Sequence, residues 1–235
     1  MNDSLDAIAR IYFDGFSTTV LHQHWYPGGA SPSAREKYIC RLRNDLSPGD
    51  SSSSSSVQVY LKVVELAAPN GEEPEIIAFA KWKFVKESLP VEVYDMKREE
   101  ITQEELGEGV NLDLMRTFMG KMDQFRRETM RGERCLHLGT FVCHPNHRGL
   151  GAASALLQWG VELADKEQVP AFLEASPHAY SLYKKFGFED IDMYQFPLED
   201  TGLIDEKDLG AEMCRDRGEK PLGFHRTAIM RRLPR

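Results

Sequence analysis

The stretch that decides the fold runs Leu136-His137-Leu138-Gly139-Thr140-Phe141-Val142-Cys143-His144-Pro145-Asn146-His147-Arg148-Gly149-Leu150-Gly151-Ala152-Ala153. It opens as an apolar strand, passes through a glycine-rich turn and enters Ala152-Ala153-Ser154-Ala155-Leu156-Leu157, a run of helix formers. The first N–H groups of a helix have no partner within it, and glycines let a bulky anion approach them. A phosphate is therefore expected on this turn.

Two common phosphate motifs fit poorly. A Walker loop requires a lysine after its last glycine, and none follows Gly151. A dinucleotide turn requires a third glycine or alanine where Ser154 stands.

Working outward, Ala171-Phe172-Leu173-Glu174-Ala175-Ser176-Pro177 reads as a second strand. A short helix and Leu182-Tyr183-Lys184-Lys185-Phe186-Gly187-Phe188 follow. Arg148-x-x-Gly151-x-Ala153 resembles the pyrophosphate signature of the Gcn5-related N-acetyltransferases (GNAT), and the Leu-Tyr-x-x-x-Gly-Phe run resembles that family's next motif. The resemblance covers about residues 136–190, and the Leu-Glu-Ala-Ser-Pro segment is similar to that of uncharacterised fungal members.

The resemblance implies an α/β fold: a mixed, mostly antiparallel sheet, splayed where acetyl-coenzyme A inserts, with helices on both faces. It implies that Phe141, Val142 and Cys143 contact the pantetheine arm, with a backbone N–H near Val142 polarising the thioester carbonyl. Arg148, Gly149, Leu150, Gly151, Ala152, Ala153 and Ser154 would receive the pyrophosphate. Tyr183 stands where many members carry a tyrosine that protonates the departing sulfur. A phenol of pKa about 10 is still protonated where a thiol of about 8.5 has begun to ionise, so it can donate.

Acyl transfer to an amine also needs a group to take the amine's proton. His137 is one candidate, since some aralkylamine acetyltransferases carry a histidine on this strand; Glu174 on the next strand is its rival. Strict alternation would place His137, Gly139 and Phe141 on one face. Members without a dedicated base relay the proton through water, and that reading stays open.

Cys135, His137, Cys143 and His144 invite a zinc reading, but a strand advances about 3.3 Å per residue and spreads them too far for one tetrahedral ion. No metal is expected.

The length of 235 residues and 41% apolar content suit one soluble N-acetyltransferase domain over 1–235. Within it lie a serine-rich loop at 50–56 and a helical insertion at 86–134. Inside the insertion, Met115, Phe118, Met119 and Met122 form one helical stripe.

Leu5, Ile8, Ala9, Tyr12, Phe13 and Phe16 mark an opening helix capped at Asp3 or Ser4. Residues 22–33 read as a loop, whose His22-to-Pro27 segment is expected to shape the acceptor side. A helix then starts at a Ser33/Glu36 capping box. Alternation over Val57–Val63, a turn at Pro69-Asn70-Gly71 and a returning strand at 76–85 predict a hairpin. Strands at 191–196 and 224–232 close the fold around a charged connection at 198–222.

Four scattered cysteines and an acidic start without a leader pattern suggest a cytoplasmic protein. No apolar run is long enough to span a membrane. The net charge of −8 disfavours nucleic acid and mildly favours a cationic acceptor. Coenzyme A is itself an anion, so His147, Arg148, Lys184 and Lys185 are the cations available to it.

The expected activity is acetyl transfer from acetyl-coenzyme A to a primary amine of a small molecule, directly in a ternary complex. Acetylation of a protein or peptide, and an acyl-coenzyme A sensor without turnover, are the alternatives. A monomer or a homodimer is expected.

Overall fold

The computed structural model describes residues 2–46, 57–67, 74–97, 99–197, 210–219 and 224–235. The expected serine loop at 50–56, the turn at 69–71 and most of the 198–222 connection lie outside these residues.

Six strands form one sheet in the order β1-β2-β3-β4-β6-β5. They are β1 (Val57–Leu66), β2 (Glu75–Val85), β3 (Cys135–Cys143), β4 (Ala171–Ala175), β5 (Glu189–Pro197) and β6 (Phe224–Arg232). All neighbours run antiparallel except β3 and β4. That single parallel pair needs a crossover, which α7 (Ala152–Glu167) supplies.

Alternation along the strands sorts side chains to two faces. On one, Trp82, Leu136, Leu138, Leu173 and Met230 pack with Leu156, Leu157 and Val161 of α7 and with Tyr180 and Tyr183 of α8 (Tyr180–Lys185). The close approach of α7 depends on Gly160, where a Cβ would stand 2.1 Å from the Trp82 ring. On the other face, α1 (Asn2–Phe16) lays Leu5, Ile8 and Ile11 over Phe79 and Val142. There too α6 (Leu112–Phe125) sets Phe125 against Phe172 at 5.9 Å. The sheet is thus covered by helices on both sides.

The helix starts depart from the sequence reading. α1 already runs from Asn2, ahead of both expected caps. α2 (Val20–Trp25) occupies the first part of the segment read as a loop, so His22 and His24 are helical. In α3 (Pro32–Leu46) the cap is Ser31, whose hydroxyl accepts from the Ala34 N–H at 3.1 Å, and not Ser33. Pro32 explains the shift, because proline suits the first helical position, where no N–H partner is available.

Within 86–134, α4 (Val91–Tyr94) and α5 (Gln103–Leu106) precede α6, and one wide turn (Arg126–Met130) follows it. Buried Asp123 holds Arg126 at 2.9 Å and Arg127 at 3.1 Å. Arg126 also donates to the carbonyls of Tyr94 and Met96, which fastens α4 to α6. The expected stripe is divided: Met115 is buried and Phe118 and Met122 half-buried, while Met119 is exposed. In the 198–222 connection, α9 (Ala211–Arg217) buries Met213 beside β6.

Candidate functional site

The parallel pair is short. Leu136, His137 and Leu138 pair with Ala171, Phe172 and Leu173, and the ladder then stops. Both strands continue, but with their outer neighbours: β3 follows β2 as far as Cys143, and β4 follows β6 as far as Ala175. Two strands that keep their outer ladders while losing each other enclose a wedge. Unpaired strand edges invite a further extended chain.

A bulge helps to open the wedge. Lys81 pairs with Thr140 and Trp82 with Leu138, so Gly139 is the extra residue on β3. One inserted residue reverses the facing of everything beyond it. Phe141 therefore joins Leu136 and Leu138 on the α7 side, its ring 5.8 Å from that of Tyr183. His137 remains on the opposite face. The alternation that grouped His137 with Phe141 is corrected by this bulge. Of the other two arm-contact residues, Val142 is buried toward α1 and Cys143 is half-buried toward α7.

Beyond Cys143 the chain makes one tight turn (Pro145–His147) and reaches Gly149 and Gly151, both at φ +85°. That left-handed backbone suits glycine alone. A Cβ at either position would meet nothing within 4 Å, so the space over the turn is open. Gly151 is the residue before α7, and the first helical bond closes only at Ala155 N–H to Gly151 O, 3.0 Å. The N–H groups of Gly149, Leu150 and Gly151 have no partner among the described residues. Those of Ala152, Ala153 and Ser154 belong to the first helical turn and have none within the helix. The residues present fit a diphosphate.

The expected cations are only partly in place. Arg148 lies at the turn, where its guanidinium donates to the Gly15 carbonyl at 3.0 Å. Gly15 presses so tightly on β3 that a Cβ would fall 2.2 Å from Val142. His147 stands 3.5 Å from Glu75. Lys184 turns away to Asp190, 3.9 Å off.

Tyr183 is buried on the α7 side of the wedge, between the rings of Phe141 and Phe188. Burial first, and the nearby Glu174 carboxylate second, push its phenol well above the usual tyrosine range. Its hydroxyl has no hydrogen-bond partner among the described residues.

His137 and Glu174, taken as rivals from the sequence, meet on the opposite face. His137 Nε2 lies 2.9 and 3.0 Å from the two carboxylate oxygens of Glu174. A carboxylate only accepts, so Nε2 is the donor, and in a neutral ring Nδ1 is then the bare nitrogen.

Near this pair the sequence reading missed Tyr194 of β5, and further along that strand Phe196. Burial, then the carboxylates of Asp192, Glu128 and Glu174, push the Tyr194 phenol up to about 12. Phe118 meets Phe196 at 5.4 Å and Trp25 at 4.8 Å, linking α6, β5 and α2. The signal for these residues was present as β5 alternation, but only the sheet order brings Tyr194 near Glu174.

Cysteine chemistry finds no support. Burial pushes the Cys135 thiol up to about 12 and also raises that of Cys143. These two residues occupy opposite ends of β3, and no three metal-ligating side chains cluster among the described residues.

Residues 72–188 match the family model of the acetyltransferase (GNAT) family. The chain belongs to the GNAT family. It is 37% identical over 65 residues to an uncharacterized N-acetyltransferase of Schizosaccharomyces pombe, a match spanning 27% of this chain and 28% of that protein. Among solved structures, a mosquito arylalkylamine N-acetyltransferase (like 5b) aligns with 98% of this chain and 95% of its own, at 18% identity and TM-score 0.50. A histone acetyltransferase HPA2 and related acetyltransferase structure from Corynebacterium glutamicum aligns with 100% and 93%, at 16% identity and TM-score 0.48. At such identities the likeness concerns the fold alone. Among the described residues no helix is long and apolar enough to cross a membrane.

Proposed function

We propose that this GNAT protein transfers the acetyl group of acetyl-coenzyme A to a primary amine of a small molecule, directly in a ternary complex. The wedge carries this reading: β3 and β4 part beyond Leu138 and Leu173, and an open glycine turn follows at the end of β3. The unpaired edges of β3 and β4 suit the amide-bearing arm of coenzyme A, and the turn from Arg148 to Ser154 suits its diphosphate. When bound, the co-substrate supplies an activated acyl carbon and a thiolate leaving group.

The remaining chemistry falls to this chain. Glu174 fixes the His137 ring and keeps the hydrogen on Nε2, so Nδ1 can take a proton from the amine. Tyr183 lies on the other side of the sheet, next to Phe141, where the sulfur would be expected. Its raised phenol stays protonated at neutral pH and is a reluctant acid. Its contribution is an O–H hydrogen bond to sulfur as charge gathers there. The proton that ends on sulfur balances the one that His137 removes from nitrogen.

Base and acid on opposite faces suit an acyl group held in the gap between them. The linked rings of Trp25, Phe118 and Phe196 favour a compact acceptor over a polypeptide. A panel of aryl- and alkylamines, polyamines and amino-terminal peptides, scored by thiol release with acetyl-coenzyme A, tests the assignment. Turnover with small amines is expected. Release with peptides alone refutes the acceptor class, and coenzyme A binding without release from any amine refutes catalysis.

A further inference from the structure

A cleft of about 410 Å³ lies between the end of α1, α2 and the start of α3. His22, Gln23, Tyr26 and Pro27 line it, on the side of α1 away from the wedge. Gly15 abuts Val142. At about 100° per residue, Phe13 and Ser17 point roughly 160° around the helix from Gly15. The cleft therefore does not share the face of α1 that touches β3.

Its lining combines three features. The floor is aromatic: the His22 ring stands 4.6 Å from Tyr26 and 5.9 Å from Phe13. His22 is 5% exposed, and its Nε2 has no hydrogen-bond partner among the described residues. Burial, with the Arg35 charge second, lowers its pKa to about 4, so the ring is neutral at physiological pH. The rim carries one charge of each sign. The Arg35 guanidinium rests 4.7 Å over the Phe13 ring and forms no ion pair among the described residues. The half-buried Asp14 carboxylate also has no partner among them.

An unpaired cation, an unpaired anion and an aromatic floor in one cleft match a particular ligand chemistry. We propose that this cleft is a binding site for a small zwitterion of the α-amino-acid type with an apolar or aromatic side chain. Arg35 receives its carboxylate, in the forked geometry that guanidinium offers. Asp14 receives its ammonium group, and the side chain lies against Pro27 and Ala30 over the buried rings of His22 and Tyr26. The site stands apart from the acetyl-transfer reading and needs no cofactor.

Calorimetry without acetyl-coenzyme A tests it, with L-phenylalanine, phenethylamine and 3-phenylpropionate as probes. The last two each retain one of the zwitterion's charges. L-Phenylalanine is expected to bind at least tenfold more tightly than either. Arg35→Gln and Asp14→Asn are each expected to weaken its binding about tenfold, while coenzyme A affinity and melting temperature stay unchanged. If Arg35→Gln lowers the melting temperature, Arg35→Lys is read instead; it keeps the charge, loses the fork and should bind several-fold more weakly. No binding of L-phenylalanine, binding no tighter than that of both analogues, or binding indifferent to these substitutions overturns the proposal. Failure of the amine screen would leave it untouched.

Discussion

Replacing Gly151 by tryptophan tests the phosphate turn with little interference from the fold. The residue sits at φ +85°, and its Cβ position is open to 4 Å. An L side chain there strains the backbone by about 1–2 kcal/mol, which a domain of about 5–15 kcal/mol tolerates. The indole would fill the space that a diphosphate needs above the N–H groups of Gly151 and Ala152.

Each hydrogen bond to a charged group is worth about 1.5–3 kcal/mol. Losing two removes about 3–6 kcal/mol, or roughly a hundred- to ten-thousand-fold in affinity at about 1.4 kcal/mol per decade. Calorimetry with coenzyme A reads the loss, and a thermal melt reads the strain. Gly109→Trp is the matched control, because Gly109 has φ +77° and equally open space but lies in the segment leading to α6. Both variants should melt slightly early, and only Gly151→Trp should lose coenzyme A. A Gly151→Trp protein that binds within threefold of the parent refutes the cradle.

Tyr183→Phe should lower kcat about a hundredfold, the lower end of what one hydrogen-bond donor to developing charge contributes, with coenzyme A affinity retained; full turnover in a stopped assay removes Tyr183 from the mechanism. Asp123→Ala leaves Arg126 and Arg127 without their shared carboxylate and should cost about 3 kcal/mol. Urea unfolding measures it, and an unchanged midpoint would mean that this node carries little. His22 gives a pH signature. Its folded pKa of about 4 lies below the ordinary 6.5, so its contribution is whole above 6.5 and declines as pH falls toward 4. At about 1.36 kcal/mol per pKa unit the loss approaches about 3 kcal/mol. His22→Phe should flatten that part of the stability profile, and a parent and variant that lose stability in parallel would contradict the assignment.

Much of the site was legible because it is local. The strand, glycine turn and helix from Leu136 to Leu157 are one contiguous unit, and each residue's preference agrees with its neighbours'. The outer strands were equally readable from alternation, and β6 spans the predicted residues 224–232. Helix starts were less so, since Ser31 and Ser33 are both plausible caps and only the placement of Pro32 separates them.

The sequence by itself determined the glycine turn, the crossover and the apolar faces, because backbone propensity and hydrophobic period act over a few residues. Tertiary structure alone decided which groups meet. His137 and Glu174 are joined across 37 positions by the register of the parallel pair. Arg148 reaches Gly15 across 133, because α1 folds back onto β3. The bulge at Gly139 reverses Phe141, an outcome set by how β3 must pair with β2 and not by the alternation of β3 itself. Register, bulges and helix docking are fixed by the packing of distant segments, and no local window of sequence contains that information.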